Sequence, residues 1–515
     1  MAWRLLFTAV MSRVCNPDPC DIVVVGAGPA GLTAAVTLAE SGRRVCVVEK
    51  DPVYVGGIAR TVTYKGYRFD IGGHRFFSKS SEIVDFWKAR LGTEFISVKR
   101  LSRIFYRGTF FDYPLKATNA LFGLGLWTSF LCGCSYLKAL LFPIRKEKSF
   151  ADWVSNRFGK RLFNIFFRTY TEKVWGMPCD EISADWAAQR IKGLSLWKAV
   201  LNALFSGKKE KGQMIKTLVD SFEYPRLGPG QMWEKTRDDI IAAGSEIHMG
   251  EEVVAIRTSG NAVTSMTTRN GAGEEMERAG QQFIVSLPLQ EAALAFQPPL
   301  PDEAIAAAKR LQYRDFLTVA LIVKRTGLFP DNWIYVHDPA VKLGRIQNFN
   351  NWSMEMVPDK STTCLGLEYF CFEGDALWSA TDEDLIVLGK KELASLGLVR
   401  EEEIVDGCVV RMEKAYPVYG ATYLADVAII RAALQRFENI QPVGRNGMHK
   451  YNNQDHSMMT ALLAARNIAG GKFNLWNVNT DAEYHEEGKA EPDQETGRRM
   501  PKRMGWAPAG AAAQL

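Results

Sequence analysis

The sequence predicts an α/β protein in which a Rossmann-like dinucleotide-binding domain carries a helical insert and an antiparallel-sheet domain. Three observations predict it. A glycine-rich βαβ pattern occupies 21–50, apolar residues recur at spacings of three and four from 116 to about 211, and 310–418 alternates in runs such as FLTVALIVKR and CLGLEYFCF.

The βαβ unit organises the rest. An apolar strand at 22–25 runs into Gly26, Gly28 and Gly31, an amphipathic helix follows, and a second strand at 45–48 ends on Glu49 and Lys50. The first glycine permits the tight turn, the second lets backbone approach a pyrophosphate at the helix N-terminus, and the third, beside Ala30, lets helix and strand pack closely. Glu49 follows Gly31 by 18 residues, where an acid accepts hydrogen bonds from a ribose.

Next comes 55–77, VGGIARTVTYKGYRFDIGGHRFF. Gly56 and Gly57 give a second permissive backbone, Ile58, Ala59 and Arg60 follow, and two short strands flank the turn pair Lys65-Gly66. Gly72 and Gly73 then lead into His74, where backbone and imidazole can both reach a bound ring. A glycine βαβ motif, an acid and a closely following Gly-Gly-x-x-Arg resembles the N-terminal pattern of the large FAD-binding superfamily that includes glutathione reductase and the amine oxidases. The resemblance implies FAD rather than NAD, and an FAD-binding domain of the glutathione reductase type.

Further along, 81–91 reads as a helix and 102–115 as strands around Arg107-Gly108. The helical stretch includes Phe150, Trp153, Val154, Phe158 and Leu162 on one face, and 121–144 is its most apolar part. Lys138 and several glycines interrupt that part, so a buried or interfacial helix pair is expected, with monotopic membrane contact as the alternative. A loop is expected at 223–230, a helix at 232–243, and strands at 246–249, 252–258, 262–268 and 283–287 with turns at Asn261 and Asn270-Gly271. Another helix is expected at 381–396 and a strand at 440–443. A helix running to about 469 follows, its start capped by Asp455 and Ser457.

These elements divide the chain into an N-terminal extension at 1–20 and three FAD-domain segments at 21–110, 216–300 and 421–485. A helical substrate domain at 111–215 and a substrate sheet at 301–420 separate the segments, and a tail at 486–515 is expected to be disordered.

Composition is that of an ordinary globular chain. Lys plus Arg number 63 against 58 Asp plus Glu, a balance without the basic runs that nucleic acid requires, so no nucleic-acid partner is expected. The 9 cysteines include no Cys-x-x-Cys pair. A cytoplasmic setting follows, with attachment to the inner face of a membrane left open, as is a homo-oligomer.

Three further segments stand out: Tyr170-Thr-Glu-Lys-Val-Trp175 with Trp186-Ala-Ala-Gln-Arg190, Gly344-Arg345 through Trp352, and Gly444-Arg445 through Tyr451 to Gln454-Asp455-His456-Ser457. Together with Gly73-His74 and Tyr113 they resemble the UDP-galactopyranose mutases, over roughly 21–484. The resemblance implies a flavoenzyme of cell-surface glycan biosynthesis that interconverts pyranose and furanose forms of a UDP-hexose through an adduct at flavin N5.

By the same resemblance Arg190 and Arg345 bind the diphosphate of the sugar nucleotide, Tyr416 and Tyr451 hydrogen-bond it, and Trp175, Tyr113 and Trp352 line the substrate space. His74 lies beside the flavin, and Val253, Gly444, Arg445, Gln454, Asp455 and Ser457 join the N-terminal residues in holding FAD. Trp352 stands where related members carry a tyrosine, Arg75 where an apolar residue is common, and His449 where an aromatic is found. The rival expectation is an FAD-dependent oxidoreductase of the amine oxidase or protoporphyrinogen oxidase type, with 121–144 giving access to an apolar or polyprenyl-linked substrate.

Overall fold

In the first of two large sheets, five strands run parallel in the order Ile440–Pro442, Glu275–Val285, Cys20–Val25, Val45–Glu49 and Glu246–Met249. The computed structural model describes residues 20–479 except 114, 116, 183 and 185–219. Cys20–Val25 takes the central place because Ile22, Val23, Val24 and Val25 are apolar on both faces and all four are buried. One face is covered by Pro29–Glu40, Gly230–Ala242 and Gln454–Ile468, the other by Leu289–Leu294, Asp302–Arg310 and Tyr423–Leu434.

Glu275–Val285 also closes an antiparallel meander with Glu251–Ser259 and Ala262–Asn270. It is longer than the expected 283–287 because its first half is polar and largely exposed, which hides a strand from a reading based on apolar runs.

The second sheet orders Ile404–Pro417, Tyr313–Val323, Thr363–Cys371, Arg345–Asn348, Trp333–Val336, Ser102–Tyr106 and Thr109–Asp112. Tyr313–Val323 and Thr363–Cys371 are buried along their whole length, as two central strands must be. The sheet is mixed rather than purely antiparallel: Ser102–Tyr106 pairs in parallel with Trp333–Val336. A hairpin from early in the chain therefore completes a sheet expected only from 301–420.

The stretch expected as a loop at 223–230 begins as strand. Ser221–Pro225 pairs antiparallel with Phe95–Lys99, burying Phe222 and Tyr224. A single polar residue, Glu223, separates those aromatics, so the alternation is too short to stand out.

The apolar stretch folds as two helices, Ala117–Leu124 and Leu126–Leu141, joined at Gly125, whose φ of +78° suits glycine. The pair is not buried. On the longer helix only Cys132 is enclosed, while Leu126, Trp127, Phe130 and Leu141 are exposed. Among the described residues no helix is long and apolar enough to cross a membrane.

Beneath the pair, Phe150–Phe158 starts with a capping box. Ser149 Oγ accepts from the Asp152 N–H at 3.2 Å, and Asp152 Oδ2 accepts from the Ser149 N–H at 3.2 Å. Ser149→Ala is expected to lower stability by about 1 kcal/mol, read as a shift in urea midpoint with an unchanged slope.

The helix Gln454–Ile468 is capped differently from the expectation. Asn453 is its N-cap, and His456 Nδ1 accepts from the Asn453 N–H at 3.3 Å. Asp455 and Ser457 lie inside the first turn and are buried.

Candidate functional site

A cavity of about 520 Å³ opens where Cys20–Val25 and Val45–Glu49 end and Pro29–Glu40 begins. Its shape follows from the glycines. Gly26 has φ +90°, and a Cβ there would lie 2.3 Å from Ser286 Oγ. A Cβ on Gly31 would lie 1.8 Å from the Gly26 carbonyl oxygen, so the helix reaches the strand only because position 31 has no side chain. Gly28, by contrast, faces open space, with no atom within 4 Å of its Cβ position. Pro29 follows at the first helical position, leaving a helix N-terminus with no acidic side chain in its first turn to oppose an anion.

Glu49 stands across this opening. Its carboxylate accepts from the Ala27 N–H at 2.6 Å and the Asp51 N–H at 2.9 Å, with lone pairs remaining for ribose hydroxyls. Burial raises its pKa, and the two backbone donors oppose that shift. Gly26, Gly28, Ala30, Glu49, Lys50, Gly57, Ile58, Ala59, Arg60 and Val253 all line the cavity.

Gly73, His74, Gly444, Arg445, Gln454 and Ser457 line the cavity as well, Gly444 directly against Ala30. His74 Nε2 is bonded to the Ile71 carbonyl at 2.8 Å, and burial with help from Arg445 and Arg345 lowers its pKa to about 4. The imidazole is therefore neutral at physiological pH. Between about pH 6.5 and pH 4 the unfolded chain binds a proton here that the folded chain does not, so stability falls as pH falls through that window. His74→Gln is expected to make the fall shallower, measured as urea midpoints at several pH values.

Arg345 and Arg445 reach the same cavity, as do Arg60 and Arg75. Arg345 is ion-paired with Glu368, which is 0 % exposed, and its guanidinium lies 5.6 Å from the Phe370 ring centroid. Burial works against its charge, but Glu368 and the hydroxyls of Tyr170, Tyr416 and Tyr335 outweigh burial and hold it protonated. Glu368 also accepts from Gln347 Nε2 at 2.6 Å. Arg445 lies 5.2 and 5.1 Å from the ring centroids of Tyr416 and Tyr451, which stack 5.9 Å apart at 14°. Its Nε donates to the Asn452 carbonyl at 2.8 Å, which fixes the guanidinium beside the two rings.

Thr169–Trp175 is pinned to this sheet by Lys173, whose Nζ donates to the carbonyls of Val336, Asp338 and Leu343 at 3.2, 2.7 and 2.9 Å. Burial lowers the ammonium's pKa to about 8. Tyr170 then stacks on His337 at 4.8 Å, and Trp175 is buried with its ring 6.3 Å from that of Tyr451, outside the cavity lining.

Not every expected residue reaches the cavity. Gly31 and Asp455 act behind its walls. Trp352 is 2 % exposed, stacks on Trp333 and donates its indole N–H to the Asn332 carbonyl at 2.9 Å, so it is part of the core. Tyr113 lies at the surface against Tyr335, their centroids 4.8 Å apart. Arg190, residues 1–19 of the N-terminal extension and the tail lie outside the described residues, while Cys20 already belongs to the central strand.

Sequence reasoning also passed over residues that the fold brings here: Ser286, whose hydroxyl donates to the Val25 carbonyl at 2.7 Å, Lys414 and Glu368. Only Glu368 carries a usable signal, being the single charge in the buried strand Thr363–Cys371.

The residues present fit a flavin dinucleotide. Open backbone at Gly28 and the acid at Glu49 suit the pyrophosphate and adenosine, and the same cavity takes in His74. Buried Gln454 Oε1, which has no hydrogen-bond partner among the described residues, is an acceptor left for a ligand donor. Among the described residues no group of His, Cys, Asp or Glu could hold a metal ion.

Comparison with known proteins agrees with this geometry. Residues 29–436 match the model of the flavin containing amine oxidoreductases. The structure of a reduced UDP-galactopyranose mutase is similar at 22 % identity and a TM-score of 0.76, covering 90 % of this chain and 98 % of the other. A chain from Exiguobacterium sp. 255-15 assigned as a protoporphyrinogen oxidase is similar at 17 % identity and a TM-score of 0.65, covering 87 % and 98 %. Both likenesses are ones of fold. The inactive all-trans-retinol 13,14-reductase of Danio rerio is 48 % identical over 56 residues, 11 % of this chain and 9 % of that one. This chain thus spans about a tenth of the first curated relatives it matches. The family match extends over most of the sequence: the chain belongs to the flavin containing amine oxidoreductases, and FAD is its cofactor.

Proposed function

We propose that this flavoenzyme is a sugar-nucleotide mutase that interconverts the pyranose and furanose forms of a UDP-hexose, most simply UDP-galactose, in cell-surface glycan biosynthesis. The observation that carries the reading is the convergence of Arg345, Arg445, Tyr416 and Tyr451 on one end of the flavin cavity. Reduced FAD supplies an electron-rich N5 that can act as a nucleophile toward an anomeric carbon.

The chain's own residues supply the rest. Arg345, kept charged by Glu368, offers a planar fork to the diphosphate as its bond to the sugar breaks. Tyr416 and Tyr451 donate hydroxyl hydrogen bonds to the same group, and Arg445 fixes their rings. His74 is neutral, so it adds no charge beside the flavin, and Trp175 backs Tyr451 with apolar bulk that limits water. Arg190, matched by sequence alone, is the proposed second diphosphate ligand. Arg345 and Arg445, among the several cations and carboxylates that line the cavity, put positive charge beside the tyrosine pair, where an amine substrate would itself be cationic.

A second reading rests on the exposed apolar helix pair. It favours an oxidoreductase acting on an apolar or polyprenyl-linked substrate delivered from a lipid phase. One experiment separates the two: purified protein reduced with dithionite is incubated with UDP-galactofuranose and the products are resolved by chromatography. The mutase reading expects UDP-galactopyranose without oxygen consumption. Oxygen consumption by the oxidised protein with no isomerisation would leave the oxidoreductase reading standing.

A further inference from the structure

We propose that the helix pair Ala117–Leu124 and Leu126–Leu141 docks this enzyme on the surface of an anionic lipid bilayer, lying in the interface without crossing it. On the longer helix the exposed apolar residues Leu126, Trp127, Phe130, Leu137, Leu140 and Leu141 fall within one stripe at 3.6-residue spacing. Trp127 is 71 % and Leu141 73 % exposed, and Phe122 near the Gly125 joint and Phe142 just past the longer helix are 74 % and 75 % exposed. Scattered surface apolars are normal; a continuous aromatic-rich stripe of this kind is not.

Charge selects the occupant. From Tyr113 to Lys146 the chain contains no Asp or Glu, while Lys116, Lys138, Arg145 and Lys146 fall within that span. Lys138 stands at the stripe's edge, where its stem can lie along apolar surface with the ammonium outward. Lys160 and Arg161 are exposed on the short helix Lys160–Phe163, which packs against Leu126–Leu141 and is tied to it by the Arg161 N–H donating to Ser135 Oγ at 3.1 Å. Glu147, the first acid after the stripe, is paired with Arg157 at 2.7 Å and so offers little opposing charge. An exposed, aromatic-rich apolar stripe in a stretch whose only charged residues are basic matches a headgroup layer that is negative outside and apolar beneath.

The platform is built to hold its shape. Gly159, at φ +80°, lacks a Cβ that would meet the Tyr136 backbone nitrogen at 2.8 Å, so the helix seats directly on the chain below. Asn156 closes the far end, accepting from the Ile144 N–H and donating to its carbonyl, both at 2.9 Å. A rigid apolar face is thereby presented outward. The inference concerns attachment and holds whichever reaction the flavin performs.

The test uses the full-length FAD-loaded protein in flotation with vesicles of phosphatidylcholine alone or with about one third phosphatidylglycerol. Binding to the anionic vesicles is expected to exceed that to neutral ones by on the order of 10-fold or more at low salt, and to weaken as salt is raised. Trp127→Glu with Phe130→Glu, both exposed and so tolerable to the fold, is expected to reduce binding by more than about 10-fold with the flavin spectrum and thermal midpoint unchanged. Arg145→Glu with Lys146→Glu is expected to remove the anionic preference. No partition of the native protein into either vesicle would overturn the proposal, as would binding indifferent to the Trp127 and Phe130 changes. A solution dimer that Trp127→Glu splits, with no vesicle binding, would assign the face to a second copy and overturn it as well.

Discussion

Arg345→Ala is expected to destabilise the folded protein by about 3 kcal/mol or more, because it leaves the Glu368 carboxylate buried without its counter-charge. Two features keep the loss toward the low end of what breaking a buried ion pair costs. Glu368 keeps its hydrogen bond from Gln347 Nε2, and Arg345, 18 % exposed on its side chain, opens onto a cavity from which solvent can partly relieve the orphaned charge. Glu368→Gln added to Arg345→Ala is expected to restore most of the loss, since a neutral amide needs no counter-ion. Urea midpoints of the two single variants and the double variant measure the coupling.

The same substitution tests the site. Flavin content is expected to stay near that of the native protein, while binding of UDP falls by on the order of 100-fold, the worth of a charge-assisted bidentate contact. Arg345→Lys is expected to recover stability better than affinity, because an ammonium balances Glu368 but lacks the planar fork. Loss of FAD from Arg345→Ala would place the residue against the cofactor rather than the substrate.

The part of the site built on local chain geometry was legible in the sequence. Gly26, Gly28, Gly31 and Glu49 are set by spacing within one βαβ unit, and a turn, a helix start and a strand end leave local marks. What depends on which side of a sheet a ring faces was not. Trp352 and Tyr113 share the aromatic character of Tyr416 and Tyr451, yet one pair packs into the core or at the surface and the other reaches the cavity. The pairing of Phe95–Lys99 with Ser221–Pro225 joins distant segments, and no local pattern encodes a partner that far away. Other signals were present but unread. Asp302–Arg310 opens with two acids and closes with two bases, the arrangement a helix dipole favours. The helix pair shows the limit from the other side: composition registers that 121–144 is apolar, but only packing reveals that its apolar face is exposed among the described residues.

Gly31→Ala and Gly28→Ala, separated by a single turn, are expected to fail in different ways. A Cβ on Gly31 would meet the Gly26 carbonyl oxygen at 1.8 Å and the Gly26 carbonyl carbon at 3.0 Å, with the Val24 side chain close behind at 3.4 Å. All but the last are backbone atoms of a turn that already holds Gly26 at φ +90°, so no side chain can rotate away and the whole helix Pro29–Glu40 must shift. Overpacking of that kind against immovable backbone is expected to cost about 3 kcal/mol or more, and to lower flavin occupancy with it because the helix N-terminus loses its place. Gly28 has an ordinary extended backbone, φ −78° and ψ −178°, and empty space around its Cβ position. Alanine there is expected to leave the stability of the flavin-free protein within about 0.5 kcal/mol of native. It should nonetheless weaken FAD binding, because the added methyl occupies the space through which a pyrophosphate would approach the helix. Thermal midpoints of flavin-free protein, set beside FAD titrations of each variant, separate the two: loss of fold at 31 and loss of ligand at 28. Equal losses of stability would mean that Gly28 is held by packing rather than left open for phosphate.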